Sequence, residues 1–253
     1  MSRLSSETLF HFTKKEHLLS ILENEFYPRY SLEEFKINRT QFKLGIPMVS
    51  FCDIPLGLIQ EHIKDYGHYG IGMSKGWAKR KRLNPVLYLD ENSELSWLIN
   101  NVLKLKSEDI KAMRDLGVKI ESETELYRKL LKVLRYAKII EGSFKRNGID
   151  RIKKFYDERE WRYVPDNIIY NSLYLVIRED EYKVPLLQDE NEKLKKAKLS
   201  FEPNDINYII IEDESEREEI LENINNIKWK YEERIRKVVL SKIISSKSIF
   251  VDF

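Results

Sequence analysis

One cysteine, nine glycines and seven prolines are all that 253 residues hold of the types that staple or punctuate a chain. A lone Cys52 can form no internal disulfide and cannot build a thiolate cluster for zinc, which fits a reducing compartment. No apolar run approaches the roughly 20 residues that a membrane span requires. The opening MSRLSSETLF lacks the apolar core and small-residue cleavage site of a signal peptide. There is little net charge either, +2 from 44 basic and 42 acidic residues. The molecule as a whole is therefore no polyanion binder, and any phosphate or nucleic-acid site must be a local patch. Neither G-x-S-x-G nor a Walker A motif occurs, which argues against α/β-hydrolase and P-loop chemistry. These absences describe a soluble, cytoplasmic protein.

What is present is a core-forming 42% of hydrophobic residues and a well-solvated 34% of charged ones. LFHF (9–12) reads as a short buried strand that runs into TKKEHLLSILENEF, where Thr13 and Glu16 have capping-box spacing. IPMVSFCDIP (46–55) is a second strand between prolines, with Asp53 placed to cap the helix LGLIQEHIKDYG. NPVLYLD follows as a third strand. From about 92 to 142 the pattern turns helical, with Ser107, and Ser122 with Glu125, as caps. Strands resume in EWRYVP, SLYLVI and NYIIIED, and Ser215 with Glu218 opens another helix. No repeat, no linker and no regular βαβ rhythm appears. The expectation is one α+β domain, its sheet mixed and mostly antiparallel, with a helical insertion at about 92–142.

Four of the nine glycines fall in DYGHYGIGMSKGWAKRKR, interleaved with Tyr66 and Tyr69 and followed by Lys75, Lys79, Arg80, Lys81 and Arg82. Glycines give room, aromatics stack and cations meet phosphates, but the spacing is not a Rossmann fingerprint. A glycine-rich bend with a solvated basic face explains the same residues, and contact of the run with nucleic acid is the sharper alternative. His11 is the one polar residue in its apolar strand, suited either to a satisfied core position or to anchoring a ligand hydroxyl. His17, His62 and His68 share no metal-ligand spacing, so no metal is expected. Cys52 reads as a packed thiol. In KKFYDEREWRYVPD, strand alternation puts Glu158, Glu160 and Arg162 on one face. Two carboxylates there form either a catalytic pair steadied by arginine or an ion-pair ladder.

FHFTKKEHLLSIL, IPMVSFCDIP, HYGIGMSKGW with LNPVLY, EREWRYVP and SKIISSKSIFVDF together resemble the AbiGi family of abortive phage infection proteins, across most of the chain and in order. That resemblance implies a role in phage defence beside a cognate toxin or antitoxin from a neighbouring gene. A more distant resemblance is to ADP-ribosyltransferases, through the strand-borne His-Phe-Thr, the tyrosines and the late Glu-x-Glu. It implies NAD as substrate and a nucleic-acid or protein acceptor. It further implies His11 at the cofactor ribose, Thr13 among the cofactor-binding residues, Tyr69 or Tyr66 on the nicotinamide, and Ser50 as the alternative middle-strand residue. Glu160 or Glu158 would then be the catalytic carboxylate, balanced by Arg162. The alternative is a non-catalytic antitoxin.

Overall fold

Alternating bulk sets the first strand. In β1 (Thr8–Thr13), Leu9 packs to one side and Phe10 and Phe12 to the other, and the chain passes directly into α1 (Lys15–Asn24). The computed structural model describes residues 6–105, 107–117, 123–146, 148–166, 174–227 and 232–252. β2 (Arg29–Ile37) and β3 (Thr40–Cys52) pair in unbroken register from Arg29–Met48 to Ile37–Thr40. Asn38 and Arg39 both take positive φ between them, as a two-residue hairpin turn matched to strand twist requires. α2 (Gln60–Tyr66), β4 (Tyr69–Ser74), α3 (Lys75–Arg80), β5 (Asn84–Pro85) and β6 (Leu87–Leu89) follow. A helical stretch comes next, made of α4 (Glu94–Lys104), α5 (Ser107–Asp115) and α6 (Glu123–Leu134). The second half holds β7 (Ala137–Ile139), β8 (Glu141–Arg146), β9 (Ile149–Lys154), β10 (Glu160–Tyr163), β11 (Ile177–Arg178) and α7 (Val184–Leu194). β12 (Ile206–Ile211), α8 (Arg217–Asn226), α9 (Glu233–Leu240), β13 (Ile243–Ser245) and α10 (Ser246–Asp252) complete it.

The main sheet has nine strands in the order β13-β12-β4-β1-β3-β10-β5, with β2 and β11 also on β3. Every pairing in it is antiparallel except β12 with β13, so the fold is α+β with a mixed, mostly antiparallel sheet. One face, with Leu9, Phe51, Ile71 and Ile209, packs against α1, α3 and α8 through Leu18, Trp77 and Ile220. The other, with Phe10, Phe12 and Ile210, meets Ile59, Ile63 of α2 and Ile249 of α10. The outer half of the β2–β3 hairpin closes a further core with α4 and α6. Among the described residues no helix is long and apolar enough to cross a membrane.

Several local expectations are corrected. The helical region ends at Leu134, not near 142: Ala137–Ile139 pairs in parallel with Leu87–Leu89, and tertiary pairing outweighs the helical spacing of the run before it. Thr13 is no cap, because it stays in the ladder opposite Tyr69, and Lys14 takes the N-cap position without a side-chain bond. Asp53 pairs with Lys75 at 2.7 Å rather than capping a helix. Asp213, not Ser215, accepts the first free amide before α8. Glu158 lies at the end of a one-turn 3-10 helix, Phe155–Glu158, and the strand starts only at Glu160. Of SLYLVI only Ile177 is strand; residues 172–173, the cap Ser122 and the side chain of Ser107 lie outside the described residues. The glycine cluster is only partly a bend: Gly67 (φ +120°) turns the chain out of α2 and Gly76 lies in α3, but Gly70 and Gly72 belong to β4, where a Cβ on Gly70 would stand 3.0 Å from the Phe12 ring and one on Gly72 3.0 Å from that of Phe10. These two glycines give room to phenylalanine rings.

Candidate functional site

A gap in one ladder makes the site. β1 meets β3 at the Phe10–Cys52 pair, whereas β2 joins β3 from Met48 outward. Val49–Phe51 thus have neither β1 nor β2 as a ladder partner. A continued ladder would bring Phe12 opposite Ser50; instead the His11 ring reaches across, its Nδ1 2.8 Å from the Ser50 carbonyl oxygen. A carbonyl only accepts, so Nδ1 carries the proton and Nε2 is left as an acceptor. Burial pushes the His11 pKa below its ordinary value, outweighing the Ser50 bond, and the ring is neutral. The rings of Phe26 and Phe51, with centroids 5.5 and 5.6 Å away, hold it in place.

A cavity of about 520 Å³ opens at this fork. His11 pairs with Ile71 and faces the side of Leu9, while Glu160 pairs with Cys52 and faces the side of Phe10. The two groups sit on opposite faces of the sheet, and the fork lets one cavity reach both. His11, Thr13, Ser50, Tyr66, Glu158 and Glu160 all line it.

The two carboxylates are buried at 5% exposure each and converge on one cation, Lys138 of β7. Its Nζ lies 3.0 Å from Glu158 Oε2 and 2.7 Å from Glu160 Oε2. The left-handed Arg159 (φ 48°) between the acids turns the chain from the 3-10 helix into β10. Glu160 Oε1 accepts from Arg162 Nε at 2.6 Å, and Arg162 Nη2 reaches Glu160 Oε2 at 3.2 Å and Glu33 at 2.8 Å. Arg162 also donates to the carbonyls of Arg135 and Ala137, each at 3.2 Å. Glu158 Oε1 accepts from the Tyr66 hydroxyl at 2.5 Å and from Lys153 at 2.7 Å, and Lys153 and Arg151 both reach Asp65 at 2.6 Å.

Four acids thus meet four cations, the condition under which charges persist in a protein interior. Burial alone would raise both carboxyls. Lys138 and Lys153 overcome that at Glu158 and hold it down to about 2, while Arg162 and Lys138 keep Glu160 below its ordinary value. Burial would likewise lower Lys138, but Glu160, Glu33 and Glu158 hold it well above the usual lysine range. Both acids are therefore ionised at neutral pH. A carboxylate has about four acceptor positions, and among the described residues each of these two has three in use, which leaves one on each.

The structure does not bring Tyr69 here. Its hydroxyl donates to Glu216 at 2.7–2.8 Å, while Tyr66, three residues earlier on α2, points to Glu158. Arg162 is fully buried behind Glu160 and does not line the cavity. Lys138 was missed by sequence reasoning, as was His62, which lines the cavity with Nε2 buried and unpartnered among the described residues. Burial lowers the His62 pKa to about 4. Cys52 is buried, its thiol pushed up by burial, with Sγ 3.4 Å from the Phe10 carbonyl. The basic run is largely engaged within the fold: Lys75 pairs with Asp53, Arg80 with Asp205, and Lys81 donates to Ser200.

Comparison with known proteins shows the family of the chain. The family model described as "Putative abortive phage resistance protein AbiGi, antitoxin" matches residues 24–212. An abortive phage resistance protein AbiGi from Lactococcus lactis subsp. cremoris is 29% identical over 252 residues, spanning 90% of this chain and 99% of that protein. No solved structure matches significantly. With well over half of its length inside the family match, the chain belongs to the AbiGi family.

Proposed function

We propose that this is a phage-defence protein of abortive-infection type that acts in the cytoplasm by binding NAD in the forked cavity and transferring its ADP-ribose to a nucleic-acid or protein acceptor. One observation carries the reading: His11, Tyr66 and the Glu158–Glu160 pair, drawn from three separate segments, line a single cavity. The bond from ribose C1′ to nicotinamide breaks with its electron pair leaving on nicotinamide, and an acceptor heteroatom then bonds to C1′ and releases its proton to solvent water in the open cavity. The open acceptor position on Glu160 receives a ribose hydroxyl, and its negative charge stabilises the oxocarbenium-like state. His11 Nε2 accepts a second hydroxyl and fixes the sugar. Glu158, held down to about 2, is too weak a base to take the acceptor's proton and serves to orient Tyr66. Nicotinamide release from NAD by the purified chain tests the reading. Glu160→Gln, checked as folded by circular dichroism because it also removes a partner of Lys138 and Arg162, should lower turnover by roughly 10²–10⁴. Unchanged turnover in that variant removes Glu160 from the chemistry.

A second reading has its own support, in the near-saturation of both carboxylates by lysine, arginine and tyrosine. In it the network is a structural ladder and the chain is an antitoxin that binds and neutralises a partner toxin. Co-expression with the neighbouring gene separates the two: rescue of growth supports the antitoxin, and toxicity of this chain alone supports the transferase.

A further inference from the structure

The charges lining the cavity are unevenly matched. Its four acids, Glu25, Glu33, Glu158 and Glu160, each have an ion-pair partner, which for Glu25 is Lys198 at 2.8 Å. Of its four cations only Lys138 is paired among the described residues. Lys14, Arg29 and Arg146 line the same cavity with no carboxylate within 4 Å among the described residues. They come from three separate elements: Lys14 follows β1, Arg29 opens β2, and Arg146 ends β8 with its guanidinium 4.7 Å from the Tyr66 ring centre. Once every acid is cancelled, the cavity presents three unmatched positive charges.

We propose that Lys14, Arg29 and Arg146 form an anion site for the phosphates of a small nucleoside diphosphate-type ligand. A volume of about 520 Å³ suits one such molecule. Guanidinium groups take phosphate oxygens in a two-point fork, and lysine does so as a point charge. A polynucleotide would need cations along an extended surface, whereas these three, all solvent-exposed, line one hollow. The inference deepens the proposed transfer reaction by naming the groups that hold the donor's phosphates, but it stands on the charge balance of the cavity.

The experiment is calorimetric titration of the full chain with ADP-ribose, inorganic pyrophosphate and adenosine, repeated on Arg29→Glu and Arg146→Glu. Far-UV circular dichroism checks that both variants fold. ADP-ribose should bind with an affinity that falls as salt rises, and adenosine should bind far more weakly. Each charge reversal should weaken ADP-ribose by roughly 10- to 100-fold, the range for loss of a charge-assisted contact. Absence of binding by either phosphate compound overturns the site. So does equal affinity for adenosine and ADP-ribose, or wild-type affinity in both folded variants. Displacement of ADP-ribose by a short single-stranded oligonucleotide at lower concentration overturns it in favour of a polynucleotide. Charge-dependent ADP-ribose binding without nicotinamide release retains the site and removes the transfer reading; nicotinamide release unaffected by the reversals does the opposite.

Discussion

Replacing Lys138 by methionine probes the network at its centre. The substitution keeps the length of the buried stem and deletes the one cation that bridges both carboxylates, at 3.0 and 2.7 Å. Glu158 keeps Lys153 and Tyr66, and Glu160 keeps Arg162. The net charge of the cluster nevertheless falls by one, and the two acids lose the cation that lay between them. Breaking a buried ion set from one side costs about 3–5 kcal/mol, a large share of the ~5–15 kcal/mol that holds a typical domain folded. Urea unfolding at neutral pH should show a loss of that size. The loss should also shrink on acidification. Lys138 helps hold both carboxyls below their ordinary value; without it their folded pKa values rise, so the variant has less stability to lose than the wild type as pH falls. Adding Glu158→Gln to Lys138→Met restores neutrality and should recover much of the stability at neutral pH. A loss below about 1 kcal/mol that does not vary with pH would refute the argument, since it is the behaviour of a solvated surface pair.

Two further outcomes follow from the same structure. Gly67→Ala should cost about 3 kcal/mol or more in thermal unfolding, because φ is +120° there and a Cβ would sit 2.2 Å from the Thr13 carbonyl oxygen; Gly76→Ala, with nothing nearer than 3.6 Å, should be neutral or slightly stabilising. Stability should also fall with acid in two overlapping windows: His62 stays neutral in the fold down to about 4 against 6.5 unfolded, and Glu158 stays ionised down to about 2 against 4.5. In both windows the unfolded chain binds the extra proton, so each group withdraws up to about 3 kcal/mol as pH falls, readable in a denaturation series.

How far the sequence revealed this site depended on the range of the interactions involved. His11 stood out as a lone polar group in an apolar strand, and the Glu-x-Glu run was visible because the two acids are adjacent in the chain. Lys138 was hidden because LYRKLLKVLRYAKII has helical spacing throughout; the partner that turns its end into a strand, Leu87–Leu89, lies some 50 residues earlier. Tyr66 and Tyr69 could not be separated by composition, since the choice rests on α2 ending at Tyr66 and β4 starting at Tyr69. The glycines pointed to a ligand because room for a ring looks the same in sequence whether the ring belongs to a cofactor or to Phe10 and Phe12. The sheet class was readable from short strands interspersed with capped helices. The fork in it was not, because a missing ladder contact leaves no local signature.

The most direct measurement is a crystal structure of the chain soaked with ADP-ribose. The account expects the ligand in the forked cavity, with a ribose hydroxyl on His11 Nε2 or Glu160 Oε1 and its phosphates toward Lys14, Arg29 or Arg146. Density for the ligand at another surface, with the fork unchanged, would contradict it.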